Sequence, residues 1–281
     1  MTATYEIITV RPLSGAIGAE LSGVDASRDL SKQTVAEVRQ ALLAYNVVFL
    51  RDQDLTSEHF LRFAGLLGEP IEYPLLEGLP GFPMITPVVK REDERVNFGG
   101  VWHTDTSYQP TPPMATLLLA REVPPVGGDT LFANQYLAYE TLSDGMKAML
   151  GELTAVSSSK KADGSATRED RVRESGRAGA PDEISSEHPV VRTHPETGRK
   201  ALYVNIAHTV RFAGMTEGES APLLGYLYAQ SVRPEFTCRF SWGVGSIAIW
   251  DNRCTQHNPI NDYHGYLRVM HRITLRGDRP A

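Results

Sequence analysis

Short β-rich segments set off by turn residues dominate this chain, and they show no regular alternation with helices. After Pro112 and Pro113, Ala115–Ala120 is a continuous apolar run. Asp129–Ala133, Ala201–Asn205, Glu235–Trp242, Ser246–Trp250 and Arg268–Leu275 follow as further strand-like segments between turn signals. Helical periodicity is confined to the front of the chain and to the connections. It runs from about Ser31 to Tyr45, with Val35, Val38, Leu42 and Tyr45 on one stripe, and then over Ser57–Leu67, with Thr56 as N-cap and Gly68 at the end. Leu137–Leu153 and Ala221–Ser231 also read as helices, the latter after the capping-box pattern Thr216-x-x-Glu219. Asn46–Leu50 reads as a strand. The missing βαβ rhythm argues for a mostly antiparallel sheet system. The expectation is a mostly β protein with peripheral helices, a sandwich or jelly roll.

At 281 residues, 41% hydrophobic and 22% charged, the chain can bury a sizeable core and a site within it. No internal repeat or linker divides it, so residues 1–281 are expected to form a single domain. Lys plus Arg total 28 against 34 Asp plus Glu, a net charge of −6, which is the wrong sign for a nucleic-acid binder. Two cysteines, Cys238 and Cys254, exclude a disulfide scaffold and a Cys-rich zinc module. No signal-like leader and no bilayer-length apolar run appears, so neither nucleic acid nor membrane is an expected partner, and the expected location is cytoplasmic. Residues 157–187 are polar, charged and nearly free of large apolar side chains. On composition they read as a surface excursion, on length as a lid over a site.

His-x-Asp/Glu, a metal-ligand spacing, should arise by chance about once, since 8 His times 34 acids over 281 residues is ~1. It occurs at His103-Thr-Asp105 and His194-Pro-Glu196. The second lies in a turn-rich stretch and reads as a hairpin loop. The first has β-rich surroundings, where positions i and i+2 share a face, so His103 and Asp105 can present an imidazole and a carboxylate together. His257, His264 and His271 recur every seven residues, but Pro259 and Gly265 break any helix there, which leaves His257 to be weighed alone. Gly243-Val-Gly245-Ser-Ile-Ala248 matches G-x-G-x-x-A formally. It precedes a strand rather than a helix and reads as a hairpin turn, not a dinucleotide site. In Arg268–Leu275, alternation puts Arg268, Met270, Arg272 and Thr274 on one face and Val269, His271, Ile273 and Leu275 on the other. The arginine face is either solvated surface or the wall of a polar cavity that receives anions.

Taken together, these pieces resemble the taurine dioxygenase / 2,4-dichlorophenoxyacetate dioxygenase family of iron(II)- and 2-oxoglutarate-dependent oxygenases. The matching residues are Trp102-His103-Thr104-Asp105, Gly127-Gly128-Asp129-Thr130, Trp250-Asp251-Asn252-Arg253 with Gln256-His257, Asn261-Asp262-Tyr263, Arg268-x-Met270-His271-Arg272-x-Thr274 and Gly277-Asp278. The resemblance runs from about Leu13 to Pro280. It implies a double-stranded β-helix (jelly roll) with His103, Asp105 and His257 as Fe(II) ligands, three coordination positions being left to 2-oxoglutarate and O2. It also implies that Arg268 and Thr130 bind 2-oxoglutarate, that Arg272 grips the anionic head of the prime substrate, and that Tyr73, Thr106 and His208 stand near that substrate. Release of succinate and CO2 accompanies hydroxylation. Pro70 and Gly99 stand where taurine dioxygenase has a histidine and an asparagine, so a larger body than taurine is expected on an organosulfonate, sulfate ester or aryloxyalkanoate. A homodimer or homotetramer is the expected assembly. Two other classes use the same residues: a zinc hydrolase on His103, Asp105 and His257, and a non-catalytic small-anion-binding jelly roll.

Overall fold

Alternation along the strands gives the protein two buried faces. The computed structural model describes residues 4–97, 99–161 and 182–281. Thr9–Pro12, Ala19–Ser22, Val47–Leu50, Ile247–Asp251, Ala115–Glu122 and Arg268–Leu275 lie side by side in a large sheet, and the short strands Pro70–Ile71 and Thr86–Lys90 both pair with Arg268–Leu275. Thr237–Phe240, Thr130–Asn134 and Thr255–Pro259 form a small sheet in that order. On the outer face of the large sheet Leu117, Leu119, Ile247, Ile249, Ile273 and Leu275 pack with Val38, Leu42, Phe60 and Phe63 of the two N-terminal helices. On the inner face Phe49, Leu118, Ala248, Trp250 and Met270 pack with Phe132, Cys238 and Phe240 of the small sheet. Phe49 stacks on Phe240 at 4.0 Å between centroids. This is the expected jelly-roll sandwich with helices outside. Burial on both faces is why Ala115–Ala120 reads as an unbroken apolar run.

Most elements fall where the pattern puts them. Lys32–Tyr45 is capped by Ser31, Ser57–Leu67 by Thr56, and Arg268–Leu275 is a single strand. Leu137–Leu153 is not one helix but two, Gln135–Glu140 and Asp144–Gly151. The break comes where Thr141 bonds back to the Leu137 carbonyl and Ser143 caps Met146, competing with the helical ladder. The last helix starts at Glu217, directly after the Thr216/Glu219 capping box. Gly243–Gly245 is a turn, but it joins strands of different sheets rather than closing a hairpin. Gly245 has φ +78, and a Cβ there would lie 2.9 Å from the Gln53 carbonyl oxygen, so glycine is required. At the ends of the 157–187 segment, Ser157 and Ser158 pair in register with Ser186 and Ser185. Residues 162–181 of the expected lid lie outside the described residues. Among the described residues no helix is long and apolar enough to cross a membrane.

Candidate active site

Main-chain pairing lays two distant histidines side by side. His257 sits on Thr255–Pro259, opposite Phe132 of the small sheet. His103 belongs to no strand but bridges His257, its N–H donating at 3.0 Å and its carbonyl accepting at 2.9 Å. The two ring centroids are 4.1 Å apart. Asp105 does not continue a strand from His103, which corrects the i,i+2 argument. A turn returns its carboxylate instead, with Thr106 at φ +41, a left-handed conformation rarely held by a β-branched residue. His103 Nε2 ends 3.8 Å from Asp105 Oδ1, and the ligand-capable atoms of His103, Asp105 and His257 all lie within 4.8 Å of one another.

The charge states suit metal binding. His103 Nδ1 is 2.8 Å from the Val101 carbonyl, so it carries the proton and Nε2 keeps its lone pair. Burial, then His103, pushes His257 down to about 3, so its imidazole is neutral. Burial alone would raise Asp105. His257, Arg272 and His103 beside it, and the Thr116 hydroxyl, outweigh that and hold its carboxyl at about 2. Two neutral imidazoles and one carboxylate converging this closely fit a divalent first-row metal that keeps open positions. Gly99 takes φ +72 against this group, and a Cβ there would stand 3.1 Å from His103 Cε1.

Behind Asp105 runs a buried hydrogen-bond relay. Trp250 Nε1 donates to Asn252 Oδ1 at 2.9 Å, Asn252 Nδ2 to Thr116 Oγ1 at 2.8 Å, and Thr116 Oγ1 to Asp105 Oδ2 at 2.7 Å. Such supports fix a ligand's orientation. Sequence reasoning quoted Trp250 and Asn252 without this role and missed Thr116. The available signal was that Thr116 is the one polar residue in the Ala115–Ala120 run.

The metal-capable group opens onto a cavity lined by His103, His257, Thr130, Arg268, Arg272 and apolar neighbours. That decides the question left by strand alternation: the arginine face is cavity wall, with Arg268 and Arg272 both buried. Thr130 Oγ1 accepts from Trp242 Nε1 at 3.0 Å, which leaves its own hydroxyl proton to donate. Nε and Nη2 of Arg268 have no hydrogen-bond partner among the described residues. Arg272 lies 3.7 Å from Asp105 Oδ1 and 4.1 Å over the Tyr73 ring. Tyr73 in turn packs in a buried apolar group with Leu75, Leu76 and Tyr108.

Tyr73, Thr106 and His208 are buried nearby but are not among the residues that line this cavity. His208 meets His103 edge-on at 6.1 Å and is held by Ser107, 3.0 Å from its Nδ1, itself bonded by Asn205. Thr106 serves the turn. Gly127 and Gly128 are clamped by Asp262, whose carboxylate accepts from the Gly128 N–H at 2.7 Å, which ties the two motifs together beside Thr130. His194 and Glu196 likewise do structural work in their hairpin. His194 Nε2 is 3.0 Å from Asp251 Oδ2, and Arg253 joins Asp251 to Glu196. Asp251, His194 and Cys254 cluster closely enough for a metal. However, His194 Nδ1 already accepts two backbone N–H groups, and Arg253 takes both Asp251 oxygens.

A jelly roll carrying this donor set beside a buried guanidinium is the arrangement expected of an iron(II)- and 2-oxoglutarate-dependent dioxygenase. Residues 9–274 match the model of the taurine catabolism dioxygenase TauD, TfdA family, and the chain belongs to that family. It is 35% identical to an alkylsulfatase of Acinetobacter baylyi over 275 residues, 96% of this chain and 86% of the relative. It is equally 35% identical, over 282 residues, to an alpha-ketoglutarate-dependent sulfate ester dioxygenase of Pseudomonas putida, 98% and 91% of the two chains. A solved structure described as a taurine dioxygenase, from Burkholderia xenovorans, superposes with a TM-score of 0.82 at 38% identity, covering 98% of this chain and 91% of that one. Family membership favours the dioxygenase over the zinc hydrolase and the anion-binding protein.

Proposed function

We propose that this enzyme hydroxylates the carbon bearing the ester oxygen of an alkyl sulfate, with His103, Asp105 and His257 holding Fe(II), and Arg268 and Thr130 holding the far carboxylate of 2-oxoglutarate. The observation that carries the substrate reading is Arg272, a buried guanidinium between the metal-capable carboxylate and the apolar group of Tyr73, Leu75, Leu76 and Tyr108. A guanidinium that lines the cavity beside the Asp105 carboxylate can receive a second anion there. The apolar group beside it suits an alkyl body, and the sulfate-ester relatives point the same way. Cytoplasmic location and assembly as a homodimer or homotetramer complete the proposal.

Bound iron supplies the oxidation, in which O2 converts 2-oxoglutarate to succinate and CO2 and the substrate carbon gains a hydroxyl. The chain's own residues supply geometry. His103 and His257 offer neutral nitrogens. Asp105, aligned by Thr116, offers its carboxylate. Arg272 orients the sulfate so that the adjacent carbon faces the metal, and the apolar wall keeps water out. Once hydroxylated, that carbon bears both OH and sulfate, and loss of sulfate leaves an aldehyde.

The test is succinate and sulfate release from hexyl sulfate, with hexanesulfonate, taurine and 2,4-dichlorophenoxyacetate alongside, each with Fe(II), 2-oxoglutarate and air. Hexyl sulfate should give both products in equal amounts. Faster turnover of taurine would overturn the alkyl-body reading, and equal turnover of neutral hexyl ethers would overturn the role of Arg272.

A further inference from the structure

Thr86–Lys90 pairs antiparallel with Arg268–Leu275, in register Arg272↔Thr86, Met270↔Val88 and Arg268↔Lys90. Residues directly opposite in such a pair point to the same face, with Cβ atoms about 5 Å apart. Val88 lines the cavity and Met270 belongs to the inner core, so this face looks inward. Lys90 is therefore a buried cation set across from the buried cation Arg268; they are 3% and 5% exposed. Lys90 Nζ has no hydrogen-bond partner, and neither have Nε and Nη2 of Arg268, among the described residues. Both charges lean on one aromatic ring: Lys90 Nζ is 4.4 Å and Arg268 Cζ 6.0 Å from the centroid of Tyr263.

The nearby acids are already engaged. Asp129 pairs with Arg239 at 2.5 Å and Asp262 accepts from Gly128; Glu94 accepts from the Arg91 N–H and also acts electrostatically on Lys90, but burial outweighs it and holds the Lys90 ammonium below its usual value. Like charges directly opposite on a sheet are destabilising, and buried cations with open donors more so. An anion between the two groups would satisfy both.

We infer that Lys90 is a second cation of the 2-oxoglutarate site, sharing the far carboxylate of the co-substrate with Arg268. The inference rests on the reading of Arg268 and Thr130 given above. It makes the site selective for a diacid: a 2-oxo acid lacking the far carboxylate leaves two buried cations facing each other.

The test compares the parent, Lys90→Met and Lys90→Arg. Calorimetric titration of the Mn(II)-loaded proteins, without turnover, would use 2-oxoglutarate and 2-oxopentanoate, which has the same chain length but no far carboxylate. Lys90→Met should bind 2-oxoglutarate roughly 10- to 100-fold more weakly and 2-oxopentanoate no more weakly than the parent. Lys90→Arg should recover part of the loss. Without ligand, Lys90→Met should melt at or above the parent temperature, because an unpaired buried charge has gone. Equal weakening for both acids, unchanged 2-oxoglutarate affinity, or a Lys90→Met protein that melts well below the parent would overturn the inference. A parent that does not bind 2-oxoglutarate would instead overturn the site reading beneath it.

Discussion

Single residues decide which groups meet at the metal-capable centre. Arg272 faces both Asp105 and Tyr73, so Arg272→Ala removes the proposed head-group receptor and leaves Arg268 in place. The expected loss in kcat/KM for an anionic substrate corresponds to about 2–5 kcal/mol, as for truncating one partner of a buried charge pair. The 2-oxoglutarate KM should change little. Steady-state kinetics with each substrate varied in turn checks this, and a matching loss in both would mean the variant disturbs the whole cavity. Gly99→Ala is the smaller probe. Its Cβ would press on His103 Cε1 at 3.1 Å from a backbone at φ +72, so metal affinity should fall although no ligand is removed. A metal titration monitored by tryptophan fluorescence, with Ala at the open position Gly198 as control for backbone strain, reads the difference; Gly198 also has a positive φ, with nothing within 4 Å.

At the scale of elements, the relay from Trp250 through Asn252 and Thr116 ties two neighbouring strands of the large sheet to Asp105. Thr116→Val keeps the shape but strands a donor on Asn252 and an acceptor on Asp105. Each buried unsatisfied group costs about 1–3 kcal/mol, and loss of such a support typically weakens a metal about 10- to 100-fold. Chemical denaturation of the apoprotein and a metal titration measure the two effects separately. An unchanged metal affinity would reduce the relay to packing. This layer was poorly legible in the sequence. His103, Asp105, His257, Arg268 and Arg272 stand in ordered motifs, and alternation along Arg268–Leu275 already put the two arginines together. Thr116 was hidden in a run read as core. Lys90 was hidden because Thr86–Lys90 was not recognised as a strand: it contains Pro87 and, among the described residues, pairs with Arg268–Leu275 alone, an edge position of the kind where a sheet tolerates proline. The Leu137–Leu153 helix was overextended because its break depends on hydroxyl-to-backbone bonds at Thr141 and Ser143, which periodicity does not register.

For the whole molecule, buried histidines set an acid limit. His188, His257 and His271 are all held below the usual histidine value, first by burial; His257 falls to about 3 and His271 to about 4. Arg121 beside His271 adds to its shift. Because the folded values lie below the unfolded one of about 6.5, the unfolded chain binds more protons between those limits. Stability is then fully present above about pH 6.5 and is lost as pH falls towards 4 and below. Thermal melts of the metal-free protein between pH 7.5 and 4.5 should show a steady drop, and His271→Gln, which titrates at none of these values, should make it shallower. A flat profile for the parent would contradict the neutral-histidine assignment.

Arg268 and Arg272 ride on one strand, four residues apart and facing the same way. At about 3.3 Å per residue that fixes their separation along the backbone near 13 Å, held by hydrogen bonds to strands on both sides. On the proposed roles of the two arginines the strand is thus a ruler: it sets how far the co-substrate's anchor lies from the prime substrate's head, whatever that substrate's tail. Drift in the apolar group around Tyr73 can lengthen, shorten or flatten the tail it accepts without moving either mark. New specificities on this scaffold should therefore arise by changes at the tail end, with both arginines left untouched.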